Sequence, residues 1–238
     1  MQKDAMGDRL KTFYEDRTRY MLPRRSFTLI RLDGKAFHSY TKGLTRPFDD
    51  QLMDDTDETA KFLCKNIQGA KFAYVQSDEI SILMTDFDHI DTDAWYDGNI
   101  QKVVSVSASL ATGKFNELRP GKLAFFDSRV FTIPYRIEVE NYFYWRQLDC
   151  TRNSITAVAQ SLYSHKELHG KSGNEKQEMI FQKGTNWNDL APRYKRGRGI
   201  IKEYYDKEGT QRSRWSVIDV PIFSQDNEFF DKIFPAME

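Results

Sequence analysis

The chain has 238 residues, with 35 basic and 35 acidic side chains, four histidines and two cysteines. That length supports one large domain, or a domain with an elaboration, around a full core, and the charge balance says nothing about partners. Two cysteines, Cys64 and Cys150, exclude a disulfide framework and read as ordinary thiols of a reducing compartment, and no apolar run is long enough to span a membrane.

Met1 to Arg9 lacks the apolar centre of a signal peptide, so a soluble, cytoplasmic protein is expected. Asp8 to Arg19 follows as a helix whose Leu10, Phe13 and Tyr14 sit at spacings that suit one buried stripe. Beyond Pro23, Ser26 to Leu32 is an apolar run of strand length that ends in Asp33-Gly34-Lys35-Ala36-Phe37-His38. A glycine after the aspartate lets the backbone turn sharply and exposes amide N–H groups. Phe37 to Tyr40 reads as irregular and Gly43 to Pro47 as a loop, before a long amphipathic helix over Asp49 to Ile67.

Phe72 to Val75 and Ile80 to Met84 are strand-formers around Gln76-Ser77-Asp78-Glu79, a hairpin with two carboxylates at its tip. Adjacent carboxylates between apolar strands need a cation or a proton to offset their charge. Either acidic turn alone is a common solvated feature; on neighbouring strands, Asp33, Asp78 and Glu79 converge into a set that favours magnesium or manganese over zinc. Trp95 to Glu117 then reads as a buried helix and Leu123 to Ile133 as a strand.

The order strand, helix, strand, strand, helix, strand is the ferredoxin-like split βαβ layout: α+β, an antiparallel sheet with two helices on one face, as in polymerase palms. In that layout the first strand is expected beside the strand that opens the hairpin. Residues 1–134 form this palm-like unit, and 135–238 a helical and hairpin elaboration. In the elaboration, Pro134 to about Ser164 is helical and aromatic, and Glu175 to Phe181 suits a short helix. Ile200 to Tyr205 and Trp215 to Val220 are strands joined through Asp206 to Thr210.

Charge is unevenly distributed. The acidic run from Asp49 to Glu58 reads as the wet face of its helix, and Tyr142 to Trp145 as core or subunit interface rather than a stacking platform. Arg193-Tyr-Lys-Arg-Gly-Arg198 mixes cations with an aromatic ring and reads as an RNA contact, against the plainer alternative of a solvated hairpin entry.

Four segments carry a family likeness. Arg31-Leu-Asp-Gly-Lys-Ala-Phe-His38, Gln76-Ser-Asp-Glu-Ile-Ser81, Phe126-Asp-Ser-Arg-Val-Phe-Thr-Ile-Pro134 and Tyr144-Trp-Arg-Gln-Leu-Asp-Cys150 resemble, jointly and in order, the tRNA-histidine guanylyltransferase family of 3′-to-5′ polymerases. Where its eukaryotic members carry His-Ile-Asn-Asn-Leu-Tyr-Asn, this chain has Thr151-Arg-Asn-Ser-Ile-Thr-Ala157, keeping only Asn153. In this it resembles the guanylyltransferase-like branch of bacteria and archaea, whose members prefer templated addition and repair 5′-truncated tRNAs.

The resemblance implies catalytic Asp33, Asp78 and Glu79, and two Mg²⁺ ions held by Asp33, the Gly34 carbonyl and Asp78. It implies nucleotide contacts from Asp33, Gly34, Lys35, Ala36, Phe37, His38, Arg46, Ser77 and Asp78, with ATP and GTP as substrates. It further implies tRNA contacts from Asn153, Arg193, Lys195, Arg196 and Arg198, a homotetramer, and no membrane partner. A nucleotide cyclase on the same palm is the alternative. The missing Gly-Gly before Asp78 and the basic cluster at 193–198 weigh against it.

Overall fold

Alternation along the first strand, β1 (Phe27–Gly34), divides the molecule: Phe27 and Leu29 pack into one apolar cluster, Ile30 and Leu32 into another on the opposite face. The computed structural model describes residues 4–226 and 228–234, so the reading of Met1 to Lys3 lies outside them. A one-turn helix, α2 (Phe37–Tyr40), follows β1, where an irregular segment is expected, and leads to α3 (Asp50–Asn66). The hairpin is β2 (Ala70–Gln76) and β3 (Glu79–Met84), followed by α4 (Ile100–Leu118) and β4 (Phe126–Ile133). Val103, Ser107, Ala111 and Phe115, four residues apart, are the buried face of α4, which explains how a sequence rich in β-branched residues is helical here.

The elaboration comprises α5 (Arg136–Leu162), α6 (His165–Leu168), α7 (Gly173–Gln182), α8 (Pro192–Arg196), β5 (Arg198–Lys207) and β6 (Thr210–Asp219). Its hairpin extends the same sheet, so six antiparallel strands run in the order β4-β1-β3-β2-β5-β6. The α+β layout is therefore as the sequence implies, with one correction. β1 pairs with β3, the strand that closes the hairpin, and not with β2. The ladder runs to Leu32 and Ile80; one step further come Asp33 on one strand and Glu79 on the other.

α3 and α4 cover the sheet face carrying Ile30, Leu32, Val75, Ile80 and Ile82. On the other face α5 buries Val139, Tyr142 and Phe143 against Leu29, Phe72 and Leu83. Tyr142 and Phe143 are thus core, whereas Tyr144 and Trp145 are exposed. The N-terminal helix is shorter than expected: α1 (Ala5–Leu10) gives way to a wide turn over Lys11–Glu15. Leu10, Phe13 and Tyr14 are exposed, not a buried stripe, because the described residues place no element over them. Among the described residues no helix is long and apolar enough to cross a membrane.

Candidate active site

The hairpin tip is a tight turn. Gln76 pairs with Glu79, and Ser77 sits at φ 49°, a left-handed conformation uncommon for a side chain with a Cβ. Ala36, between β1 and α2, is also left-handed at φ 55°. Two such residues at neighbouring loops are the kind of local strain that collects at functional sites. A cleft of about 950 Å³ opens here, lined by Asp33, Phe37, His38, Arg46, Ser77, Asp78 and Glu79 together with residues of α3, α5 and α8.

Asp33 and Asp78 share this cleft. Gly34 makes the approach possible: a Cβ there would lie 2.2 Å from the Phe37 ring and 2.8 Å from Asp78 Oδ2. Ser77 Oγ donates to Asp78 Oδ1 at 2.9 Å. Even so, burial pushes the Asp78 carboxyl up to about 6, and the nearby charges of Asp33 and Glu79 push the same way. An ionised Asp78 is therefore held against its environment until a cation arrives.

Glu79 is different, and the expected set of three free carboxylates is corrected. Its oxygens accept from Arg146 Nε and Nη2, both at 2.8 Å, and Gln76 Nε2 donates to it at 3.1 Å. Ser81 Oγ reaches it at 3.4 Å and lies 2.8 Å from Tyr142 Oη. Glu79 and Arg146 are both buried, so the glutamate neutralises an arginine of α5 and ties that helix to the hairpin. Among the described residues no group of three or more His, Cys, Asp or Glu side chains is set to hold a metal. Two carboxylates beside a backbone carbonyl still fit magnesium, which leaves most of its positions to water and phosphate oxygens.

Of the remaining expected nucleotide contacts, His38 and Arg46 line the cleft, and His38 Nε2 lies 3.0 Å from Ser39 Oγ. Lys35 and Ala36 are exposed and, like Gly34, do not line it. Asn153 lines the cleft and donates to Asp149 at 3.4 Å.

The basic segment at 193–198 is not the exposed RNA patch the sequence suggests. Arg193 Nη2 donates to Asp54 at 2.6 Å, Tyr194 Oη to Asp50 at 2.6 Å, and Arg198 Nε to both Asp57 oxygens. Lys195 is buried and donates to the Asn188 carbonyl, and the Arg196 carbonyl accepts from Tyr74 Oη at 2.6 Å. Asp50, Asp54 and Asp57 form one face of α3, so the acidic run is not simply a wet face either. Two ion pairs, Arg193 to Asp54 and Arg198 to Asp57, join the two charge runs, while Asp55 pairs with Arg119. Burial raises the Asp57 carboxyl against the pull of Arg198.

Sequence reasoning missed Arg31, Gln76, Asp57 and Arg146. Acids at positions i, i+4 and i+7 of a helix, set against a basic segment of matching length, were the available signal for Asp57. Nε of Arg31, Oε1 of Gln76, Nε of Arg193 and Nη2 of Arg198 are buried without a hydrogen-bond partner among the described residues, and all four residues line the cleft. Such groups are costly to leave unpaired, so four of them on residues around one cleft mark it as a polar site rather than packed core.

The sequence profile described as tRNAHis guanylyltransferase matches residues 7–134. The tRNA(His) guanylyltransferase of Debaryomyces hansenii is 27% identical over 223 residues, covering 84% of this chain and 82% of that protein. That of Schizosaccharomyces pombe is 28% identical over 214 residues, covering 82% and 80%. A bacterial tRNA(His) guanylyltransferase-like protein solved in complex with ATP superposes with a TM-score of 0.89 at 47% identity, over 97% of this chain and 99% of that one. The same kind of protein in complex with GTP gives 0.86 at 47%, over the same shares. The Saccharomyces cerevisiae tRNA(His) guanylyltransferase, at 22% identity and a TM-score of 0.72 over 95% of this chain and all of that one, shares the fold.

Proposed function

The chain belongs to the tRNAHis guanylyltransferase family of nucleotidyltransferases, and on that premise we propose that it adds nucleotides in the 3′-to-5′ direction to the 5′ end of tRNA, repairing tRNAs truncated there. The observation that carries this reading is the meeting of Asp33 and Asp78 in one cleft, with Asp78 buried enough to demand a countercharge. Departure from the eukaryotic motif at 151–157 supports templated addition over addition of a single fixed guanosine. ATP and GTP as substrates are supported by the complexes of the 47% identical bacterial protein.

Asp33, Asp78 and the Gly34 carbonyl would hold two Mg²⁺ ions, which when bound lower the pKa of an attacking hydroxyl and neutralise a leaving pyrophosphate. The chain's own residues do the positioning. Backbone amides of 36–38, Ser77 and Arg46 grip phosphate oxygens, the Lys35 amide being taken by the Phe125 carbonyl at 2.8 Å. Glu79 acts through Arg146, fixing the hairpin tip against α5 so that Asp78 keeps its place. A 5′-monophosphate end attacks the α-phosphorus of ATP and releases pyrophosphate. The 3′-hydroxyl of the incoming nucleotide then attacks the adenylylated 5′-phosphorus and releases AMP. Pairing with the opposite tRNA strand selects the base, so the protein need only hold the pair.

We read residues 1–134 as the catalytic palm and 135–238 as the elaboration for tRNA binding and assembly into a cytoplasmic homotetramer. The exposed side chains of Ile137, Tyr144 and Leu148 on α5, at 59%, 36% and 44%, supply an apolar face suited to a subunit contact. Within the elaboration, Asn153, Arg193 and Arg198 line the cleft, the first two placed to meet RNA, while Lys195 and Arg196 do not line it.

The test is a set of tRNAs lacking the first nucleotide, each with a different base opposite the gap, incubated with Mg²⁺, ATP and all four nucleoside triphosphates. The added nucleotide should follow the opposing base. Addition of guanosine whatever stands opposite defeats the templated reading, and a cyclic nucleotide product with unextended RNA defeats the polymerase reading altogether.

A further inference from the structure

One large aromatic ring in the cleft has no role in the chemistry described above. Trp145 is 48% exposed, yet its side chain lines the cleft with Asp33 and Asp78. It begins the stripe of α5 that faces the cleft, continued by Arg146, Asp149, Cys150, Asn153, Ala157 and Gln160. Tyr144 and Leu148, also exposed, do not line the cleft, which separates Trp145 from the apolar face on the outside of the helix.

The ring is backed by fixed groups. The guanidinium carbon of Arg146 lies over it, 4.4 Å from the centroid, and Tyr142 meets it edge-on at 6.0 Å between centroids. Arg146 is itself immobilised, bonded to both Glu79 oxygens and, at 2.9 Å, to Asp149 Oδ2. One indole face is therefore covered by a cation that cannot swing away, and the rest of the ring is presented to solvent and to the cleft. A rigid aromatic surface loses little conformational entropy when a second ring lies against it. Every nucleobase has a π-face, so such a surface binds bases without choosing among them.

We propose that Trp145 is a stacking platform for a nucleobase within the cleft, held from behind by the Arg146, Glu79 and Asp149 network. This rests on the nucleotidyl-transfer reading and names the group that receives a base. It reverses the expectation that Trp145 is core or subunit interface. The lack of base choice suits a protein that leaves selection to pairing with the opposite strand. The base comes from a nucleoside triphosphate or from the RNA terminus.

Tryptophan fluorescence tests it, since the other three tryptophans, Trp95, Trp187 and Trp215, do not line the cleft. Wild type and Trp145→Phe are titrated in Mg²⁺ with ATP, GTP, inorganic tripolyphosphate and a tRNA lacking its first nucleotide. Quenching of wild type by base-bearing ligands but not by tripolyphosphate, lost in Trp145→Phe, is the expected result, and whether ATP and GTP or the tRNA quenches identifies the source of the base. Trp145→Ala should weaken the quenching ligands by roughly 5- to 100-fold, alike for adenine and guanine, with Trp145→Phe close to wild type. Quenching that survives in Trp145→Phe, equal quenching by tripolyphosphate, or unchanged affinity in Trp145→Ala overturns the platform. RNA extension by the wild type is scored separately: extension without quenching removes the platform alone, and quenching without extension removes the transfer reading alone.

Discussion

Arg198, at the head of β5, and Asp57, on α3, form an ion pair inside the protein: Nε lies 2.7 and 3.0 Å from the two carboxylate oxygens, and the residues are 3% and 4% exposed. With Arg193 to Asp54 and Tyr194 to Asp50 it straps α8 and the head of β5 across the first turns of α3, and so shapes one wall of the cleft. Among the described residues Arg198 Nη2 has no hydrogen-bond partner.

Removing one partner leaves the other charge buried alone. Asp57→Ala should destabilise the fold by about 3–5 kcal/mol, whereas Asp57→Leu combined with Arg198→Met should recover much of that loss. Urea denaturation of Asp57→Ala, of Asp57→Leu and Arg198→Met singly, and of the double variant measures both. Additive losses would show that the pair is not coupled.

Asp78 and Glu79 are adjacent in sequence and should respond in opposite senses. Glu79→Gln breaks the Arg146 pair and should cost about 3–5 kcal/mol of stability. Asp78→Asn removes a carboxylate that folding disfavours, and should raise stability at neutral pH while lowering activity. Thermal melts in the absence of divalent ions, beside RNA-extension rates, separate the two roles.

The pH dependence follows from the same group. Asp78 titrates at about 6 in the folded chain, above the usual range near 4 for an aspartate. The folded state therefore holds the proton more tightly than the unfolded state. Asp78's contribution favours folding below about pH 4, is lost as pH rises through about 6, and is flat above that, a change of at most about 3 kcal/mol. Metal binding runs the other way, since it needs the carboxylate ionised. Mg²⁺ affinity should rise between pH 5 and about 7, and saturating Mg²⁺ should move the activity profile to lower pH. Calorimetric titration with Mg²⁺ at several pH values checks the sign, and an affinity independent of pH in this window would count against Asp78 as a ligand.

Gly34→Ala tests the close approach of β1 to the hairpin tip. The added methyl would meet the Phe37 ring at 2.2 Å and Asp78 Oδ2 at 2.8 Å, so the loop or the carboxylate must move. Misplacement on the scale of 1 Å costs on the order of 100-fold in rate. Gly113→Ala, with nothing within 4 Å of its added methyl, is the control and should be near wild type in RNA extension.

The palm is legible because its strands and helices alternate cleanly in apolar pattern, and because Asp33 and the Asp78 turn lie at the same end of neighbouring interior strands. That β1 pairs with β3 is not legible in the same way, because local pattern marks strands without ranking their partners. Glu79 looked like a third ligand for a related reason. Sequence shows two adjacent acids at a turn, but the strand that starts at Glu79 turns that side chain into the sheet, where Arg146, 67 residues later, awaits it. The acidic face of α3 and the basic segment at 193–198 each looked solvent-directed alone. Only the fold brings Asp57 to Arg198, 141 residues apart.

The most direct measurement is single-nucleotide extension of a tRNA lacking its first 5′ nucleotide, in Mg²⁺, by wild type and by Asp33→Asn and Asp78→Asn variants confirmed to be folded. The account predicts extension by the wild type and a loss of at least about 100-fold in each variant. Extension at the wild-type rate by either folded variant would contradict it.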